Sequence, residues 1–200
     1  SDYVLKEGRP VGLVRGLTAD GFYTTDDFTY ENGVYTLKEG VADVSSAVFP
    51  NYHLHNGMNE RPAGQLAYPG MAKFKDLNDD GIINDDDVDV IGDMTPVHTG
   101  GFNINATYKN FDLGVFFNGS AKRKIMINSG IAPFLSGGGD GEEAETLARN
   151  LMQWIADDHW SVDNPNPNAA YPRLGLTKAD VTNNVQPSTF WLRNGNFLRF

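Results

Sequence analysis

The chain has 200 residues, and 16 Lys and Arg against 26 Asp and Glu give it a formal charge of −10 at pH 7, which argues against nucleic acid as a partner. It contains no cysteine, which excludes a disulfide scaffold, a thiolate nucleophile and any Cys-ligated metal centre. No apolar run reaches the roughly 18 residues of a membrane-spanning helix. With 22 Gly, 10 Pro, 12 Phe, 8 Tyr and 3 Trp, the composition suits short strands, tight turns and long loops better than a helical bundle. The chain opens on Ser1-Asp2-Tyr3-Val4-Leu5 and closes on the strand-like Asn196-Phe197-Leu198-Arg199-Phe200. The expectation is a piece of a larger chain.

Residues 4–25 alternate apolar side chains with Gly8, Gly12, Gly16 and Gly21, a pattern of one or two kinked or bulged strands. They are followed by an acidic turn at Asp26-Asp27. Residues 28–49 divide into short strands at Asn32-Gly33 and Glu39-Gly40; Asn-Gly is a strong two-residue hairpin signal. Residues 50–70 hold Pro50, Pro62 and Pro69 with no sustained period, and are loop.

The clearest signal lies at residues 101–119. Phe102, Ile104, Ala106 and Tyr108 alternate with Asn103, Asn105 and Thr107, and after Lys109-Asn110 the apolar positions are Phe111, Leu113, Val115 and Phe117. A two-residue turn at Lys109-Asn110 pairs Tyr108 with Phe111, Ala106 with Leu113, Ile104 with Val115 and Phe102 with Phe117. Every apolar residue then shares one face, with only Phe116 out of pattern on the other, and a slip by one residue would destroy the arrangement. Such a hairpin suits a soluble sandwich. Its Asn- and Gly-rich polar face and the aromatic pair at the turn equally suit a transmembrane barrel.

Ala144, Leu147, Ala148, Leu151, Met152 and Ile155 recur at three- to four-residue spacing behind Glu142 and Glu143. The spacing predicts one loop helix at about 142–157 with Leu147, Leu151 and Ile155 covered. Residues 163–172 are turn and polyproline-like, and strand character returns at Phe190-Trp191-Leu192 and at Phe197.

Asp76, Asn78, Asp80, Asn84 and Asp87 stand at positions 1, 3, 5, 9 and 12 of a twelve-residue loop, with Gly81 at the turn and the Ile82 carbonyl at position 7. That spacing wraps oxygen ligands around one hard cation, so calcium is expected there in a structural role. Asp87 replaces the usual Glu at position 12, and Ile83 would be the apolar anchor. His53 and His55 lack a third ligand at a suitable spacing. Neither a nucleophile elbow nor a phosphate loop is present, and no carboxylate pair is differentiated for acid and base roles; the chain is not expected to be an enzyme. Trp154, Trp160, Trp191 and Tyr171 could stack on sugars or serve as packing anchors.

Several segments together resemble one family: Val11-Gly12-Leu13 with Asp20-Gly21-Phe22-Tyr23, Phe74-Lys75-Asp76 through Asn84, Ile91-Gly92-Asp93, Tyr108-Lys109-Asn110-Phe111-Asp112-Leu113, Tyr171-Pro172-Arg173-Leu174 and Ser188 through Arg199. In this order they look like the C-terminal part of SusC/RagA-type TonB-linked (TonB-dependent) outer-membrane receptors of Bacteroidetes. The resemblance implies a mainly β fold: antiparallel strands and hairpins of a 22-stranded transmembrane β-barrel, of which residues 1–200 would be one part without the plug. It implies import of an oligosaccharide or peptide, driven by TonB through the missing N-terminal part, with a SusD-like surface lipoprotein as lid. Outer-membrane lipid would surround the wall, and loops at about 26–97 and 120–188 would face outside. The rival expectation is a soluble, calcium-stabilised β-module that binds carbohydrate. Burial of Phe102, Ile104, Leu113 and Val115 against a second sheet would favour it; exposure of that face would favour the barrel.

Overall fold

A computed structural model of the chain describes residues 12–45, 61–62, 64–127, 151–175 and 183–200. The described residues are mainly β. In chain order the strands are β1 (Leu13–Gly16), β2 (Ala19–Phe22), β3 (Phe28–Glu31), β4 (Val34–Leu37), β5 (Asp43–Val44), β6 (Ala72–Phe74), β7 (Ile82–Ile83), β8 (Asp89–Asp93), β9 (His98–Tyr108), β10 (Phe111–Ala121), β11 (Lys124–Met126), β12 (Leu192–Asn194) and β13 (Phe197–Arg199), with one short helix, α1 (Gln153–Asp157).

β9 and β10 form the predicted hairpin in the predicted register. Phe111 pairs with Tyr108, Leu113 with Ala106, Val115 with Ile104 and Phe117 with Phe102, and the ladder runs on to Ala121 opposite His98. Lys109 opens the turn with a φ of 54°. On the far side of β10, β13 pairs Asn118 with Arg199 and Ser120 with Phe197. The three strands form an open wall in the order β13-β10-β9, not a closed barrel. Beyond Ala121 the ladder resumes as β11 against β12, with Lys124 opposite Asn194 and Met126 opposite Leu192. Between Ser120 and Lys124 one strand advances four residues while its partner, from Phe197 back to Asn194, advances three. The extra residue is a bulge: Lys122 has a φ of 54°, Gly195 N–H donates to the Arg123 carbonyl at 2.9 Å, and Arg123 N–H donates to Asn196 Oδ1 at 3.2 Å. Neighbouring strands of the wall are thus joined by two residues at one end and by the excursion from 127 to 191 at the other.

The wall contributes almost nothing to the core, which the loops build instead. Leu17, Tyr23, Phe28, Val44, Leu66, Ala67, Tyr68, Met71, Ala72, Phe74 and Ile83 make one cluster. Ile155 and Trp191 anchor a second, and Phe22, Trp160 and Ala169 a third. The Asn32-Gly33 turn behaves as its residues demand: φ values of 50° and 85° give the twist that keeps Glu31 opposite Val34 and Phe28 opposite Leu37. Asp27 ties this hairpin to β6 through a 2.8 Å ion pair with Lys73. Burial acts to raise its pKa, but the Lys73 hydrogen bond, the Thr24 N–H and the Lys73 charge prevail and hold it below 3.8.

Two expectations need correction. The helix expected at about 142–157 is seen only as Gln153–Asp157, because Met152 is extended at φ −70° and ψ 135°; residues 142–150 lie outside the described residues. Ile155 is buried, as the periodicity requires, whereas Leu151 is 39% exposed. With the helix starting after it, Leu151 no longer shares a turn with Ile155. Thr189–Trp191 is a 3-10 turn, and strand begins only at Leu192.

Gly70 is the tightest point of the loop core. It has a φ of +88°, and a Cβ there would lie 2.1 Å from Trp160 Cε3. Gly40, at a φ of +82°, has open space around it. Gly70→Ala is expected to destabilise the loop region by at least about 3 kcal/mol, from left-handed strain plus overpacking, and Gly40→Ala by only about 1 kcal/mol. Urea unfolding of the two variants compares them; equal costs would show that Trp160 does not close over Gly70.

Candidate functional site

Two parts of the chain carry the sequence-derived candidates: the acidic loop at 76–87 and the hairpin wall. In the acidic loop, Gly81 reverses the chain at a φ of 83°, helped by Asp79 at 58°. The reversal brings four of the predicted groups together. Asn78 Nδ2 donates to Asp80 Oδ2 at 3.0 Å, Asn84 Nδ2 stands 3.5 Å from the same oxygen and 3.4 Å from the Ile82 carbonyl. Asp76 sits across the loop mouth, accepting from Gly81 N–H at 2.7 Å and Asp80 N–H at 3.3 Å.

Asp87 is placed differently. It is fully buried under the loop, with one carboxylate oxygen accepting from Leu77 N–H at 2.7 Å and the other from Asn84 N–H at 2.8 Å. A twelfth-position carboxylate here staples the two ends of the loop to each other through backbone amides. Among the described residues, no three His, Cys, Asp or Glu side chains are grouped as a metal site. His53 and His55 lie outside the described residues.

The loop is bound firmly to the core. Ile83 is fully buried in the largest cluster, and β7 pairs in parallel with β5. Asp43, which pairs with Ile82 in that ladder, was not singled out by its sequence context. Its carboxylate accepts from the N–H groups of Val44, Leu66 and Ala67 at 2.8, 3.0 and 2.7 Å; Leu66 and Ala67 lie outside any strand. Asn183 and Asn184, both fully buried, act likewise: Asn184 Oδ1 accepts from Ala72 N–H at 2.8 Å and Asn183 Nδ2 donates to the Ala72 carbonyl at 2.9 Å. Only the three-dimensional fold brings these partners, more than 100 residues apart, together.

The aromatic candidates separate by burial. Trp160 and Trp191 are fully buried and Trp154 is 48% exposed, its ring 5.3 Å from that of Tyr171. Trp160 and Trp191 are therefore packing anchors. Burial of the Tyr171 hydroxyl, reinforced by the Asp158 carboxylate and opposed by Arg193, raises its pKa above 10.0.

On the hairpin wall, Phe102, Ile104, Tyr108, Phe111 and Leu113 are 49 to 78% exposed, and neither a second sheet nor a helix covers them among the described residues. At one end Phe102 and Phe117 stack with centroids 4.5 Å apart; at the other Tyr108 faces Phe111 across the turn. Ile104, Ala106, Leu113 and Val115 lie between these two aromatic pairs. The pairs stand six residues apart on β9, roughly 20 Å at strand rise.

No protein-family model matches the chain. It is 32% identical over 123 residues, 62% of its own length, to TonB-dependent receptor P3 of Formosa agariphila, and 28% identical over 130 residues, 65% of its length, to TonB-dependent receptor P26 of the same bacterium. These matches cover 10% and 12% of the relatives, so the chain spans about a tenth of the curated proteins it matches. The resemblance to TonB-dependent receptors is borne out at that level: the chain is similar to a segment of them.

Asp87→Asn tests the staple. The variant is expected to lose about 1–3 kcal/mol, since an amide NH2 must face an N–H that the carboxylate oxygen had satisfied. Hydrogen exchange at the Leu77 and Asn84 amides should accelerate by the corresponding factor; unchanged protection would place the carboxylate elsewhere.

Proposed function

We propose that this chain supplies part of the barrel wall and outer loops of a SusC/RagA-type TonB-dependent receptor in the bacterial outer membrane. Such a receptor is a non-catalytic importer of oligosaccharide or peptide, coupled to TonB and working with a SusD-like lipoprotein. The observation that carries this reading is the exposed apolar face of an eleven-pair hairpin. A tilted strand of 9 to 11 residues spans a bilayer, and an apolar band between aromatic girdles is how a barrel meets lipid. The alternation of a two-residue turn with an excursion of some sixty residues has the form of a short periplasmic turn and a long outer loop. A soluble module would need to cover Phe102, Ile104 and Leu113, and their exposure weighs against it.

Leu113→Lys distinguishes the two environments. In a receptor folded into vesicles, a charge on the lipid face near mid-membrane is expected to cost about 2–4 kcal/mol of folding free energy. At a water-exposed position the same change is usually within about 0.5 kcal/mol. Urea-dependent folding into vesicles measures the difference, and a near-zero cost would remove the wall from the membrane.

Calcium in loop 76–87 belongs to the same proposal. The donors suit a hard cation: the carboxylates of Asp76 and Asp80, the amides of Asn78 and Asn84, and the Ile82 carbonyl, with Asp87 holding the loop ends together. Asp76, Asp79, Asp80, Asp85, Asp86 and Asp87 crowd negative charge that a cation would relieve. Isothermal titration with calcium up to the millimolar range should show binding that Asp80→Ala abolishes. No heat with the wild type would leave a loop held by its own hydrogen bonds.

A further inference from the structure

Asn-Gly favours tight hairpin turns because glycine has no side chain, and for the same reason the nitrogen that follows the asparagine is left unshielded. The chain has Asn-Gly steps beginning at Asn32, Asn56, Asn118 and Asn194. Asn56 and Gly57 lie outside the described residues, and the fold sets the other three in different surroundings.

In two of these the glycine is held. Gly119 lies within the wall, opposite Gly100 on one side and Leu198 on the other, and a Cβ there would stand 3.0 Å from the Phe197 carbonyl oxygen. Gly195 N–H donates to the Arg123 carbonyl at 2.9 Å, and Asn194 Oδ1 accepts from Asn196 N–H at 3.0 Å. Asn32 and Gly33 are both exposed and lie between β3 and β4, in neither strand. Nothing stands within 4 Å of the position of a Cβ at Gly33, and no hydrogen bond from its N–H is found among the described residues.

We infer that Asn32-Gly33 is a site of spontaneous deamidation and isomerisation, selected by the fold from the described Asn-Gly steps. The Gly33 amide nitrogen, losing its proton to hydroxide, attacks Asn32 Cγ. A bond from that nitrogen to Cγ forms, the Cγ–Nδ2 bond breaks, and ammonia leaves behind a succinimide ring. Water then opens the ring at one carbonyl or the other. One opening gives aspartate; the other gives isoaspartate, in which the main chain runs through Cβ. In the closed turn Asn32 has a φ of 50°, and the turn must open for nitrogen and Cγ to meet. A hairpin tip opens at far lower cost than a strand paired on both sides.

The two products differ in consequence. Aspartate adds a charge beside Glu31 and keeps the backbone, since Asp-Gly forms the same turn. Isoaspartate inserts one carbon into a connection whose length fixes Glu31 opposite Val34 and Phe28 opposite Leu37. Phe28, Tyr35 and Leu37 reach the largest core cluster from this hairpin. Gln65 accepts from Leu37 N–H at 2.7 Å and donates to the Tyr35 carbonyl at 3.0 Å, contacts that hold only in the original register. Isomerisation at one exposed turn therefore loosens β4 from the core.

The test ages the complete protein that carries this chain at neutral pH, folded and in urea, and follows amide-to-acid conversion at each step by peptide mapping. In the folded protein Asn32 should convert at least about tenfold faster than Asn118 and Asn194; in urea the three should react at comparable rates. Asn32 reacting no faster than the other two in the folded protein overturns the inference. So does the same preference persisting in urea, which would make flanking residues rather than the fold its cause. Asn32→Gly keeps a hairpin-forming pair and should abolish the conversion; a remaining mass change in that peptide overturns the site. Hydrogen exchange at the Leu37 amide should accelerate in the isoaspartate fraction and not in Asn32→Asp, and equal protection in both overturns the loosening of β4.

Discussion

The structure depends on one ladder of backbone hydrogen bonds, the eleven-pair antiparallel pairing of β9 with β10. In water a hairpin with no core under it is marginal. In hydrocarbon the same ladder is close to obligatory, because an unpaired amide or carbonyl there costs several kcal/mol and has no solvent to turn to. The side-chain pattern follows the ladder: because cross-strand partners share a face, eight apolar residues collect on one side and Asn103, Asn105, Asn118 and Phe116 on the other. The location of the core follows too. Side chains left exposed on the wall do not supply a buried cluster, and Trp160, Trp191, Ile83 and their neighbours gather in the loops.

A core built from loops meets a difficulty that sheets and helices avoid, since irregular backbone carries amides and carbonyls with no regular partner. Here polar side chains supply the partners. Asp43 closes three N–H groups, Asp87 two, and Asn184 with Asn183 completes both polar groups of Ala72. Arg61 contributes in the same way by donating to the Leu66 carbonyl. Such side-chain partners suit a region whose described elements are only two to five residues long outside the wall.

The hairpin was legible down to its register because two independent signals agree: strict alternation on both strands and a turn of fixed length between them. The acidic loop was legible as a turn with converging oxygens, since its ligand spacing and Gly81 are local features. The position of Asp87 was visible but its use was not, because the Leu77 and Asn84 amides reach it only once the loop is closed. The helix is not continuous through Leu151 and Met152, because the apolar period runs on where the backbone at Met152 is extended; periodicity reports which side chains could share a face, not where the helical turns begin. Trp160 and Trp191 could not be told from ligand-stacking residues, since the burial of Trp160 depends on Gly70, far off in sequence, and that of Trp191 on a cluster only the fold assembles. Phe116 was recognisable as an exception to the alternation, and it stays exposed on the polar face.

The bulge between β10 and β11 divides the long strand into two segments with separate demands. In a pattern of period two, one additional residue in one strand and not in its partner exchanges inward and outward for everything beyond it on that strand. Below Lys122 the strand answers to the wall, where apolar side chains must all turn one way; above it the strand answers to the loop core, where Met126 packs near Trp191. The extra residue at this junction works as a change of phase: it keeps Met126, opposite Leu192, in step with Gly119, opposite Leu198, although the two are an odd number of residues apart. Removing a single residue there would leave every side chain in place by type while transposing the rim relative to the wall, a disturbance greater than any substitution at the same position could cause.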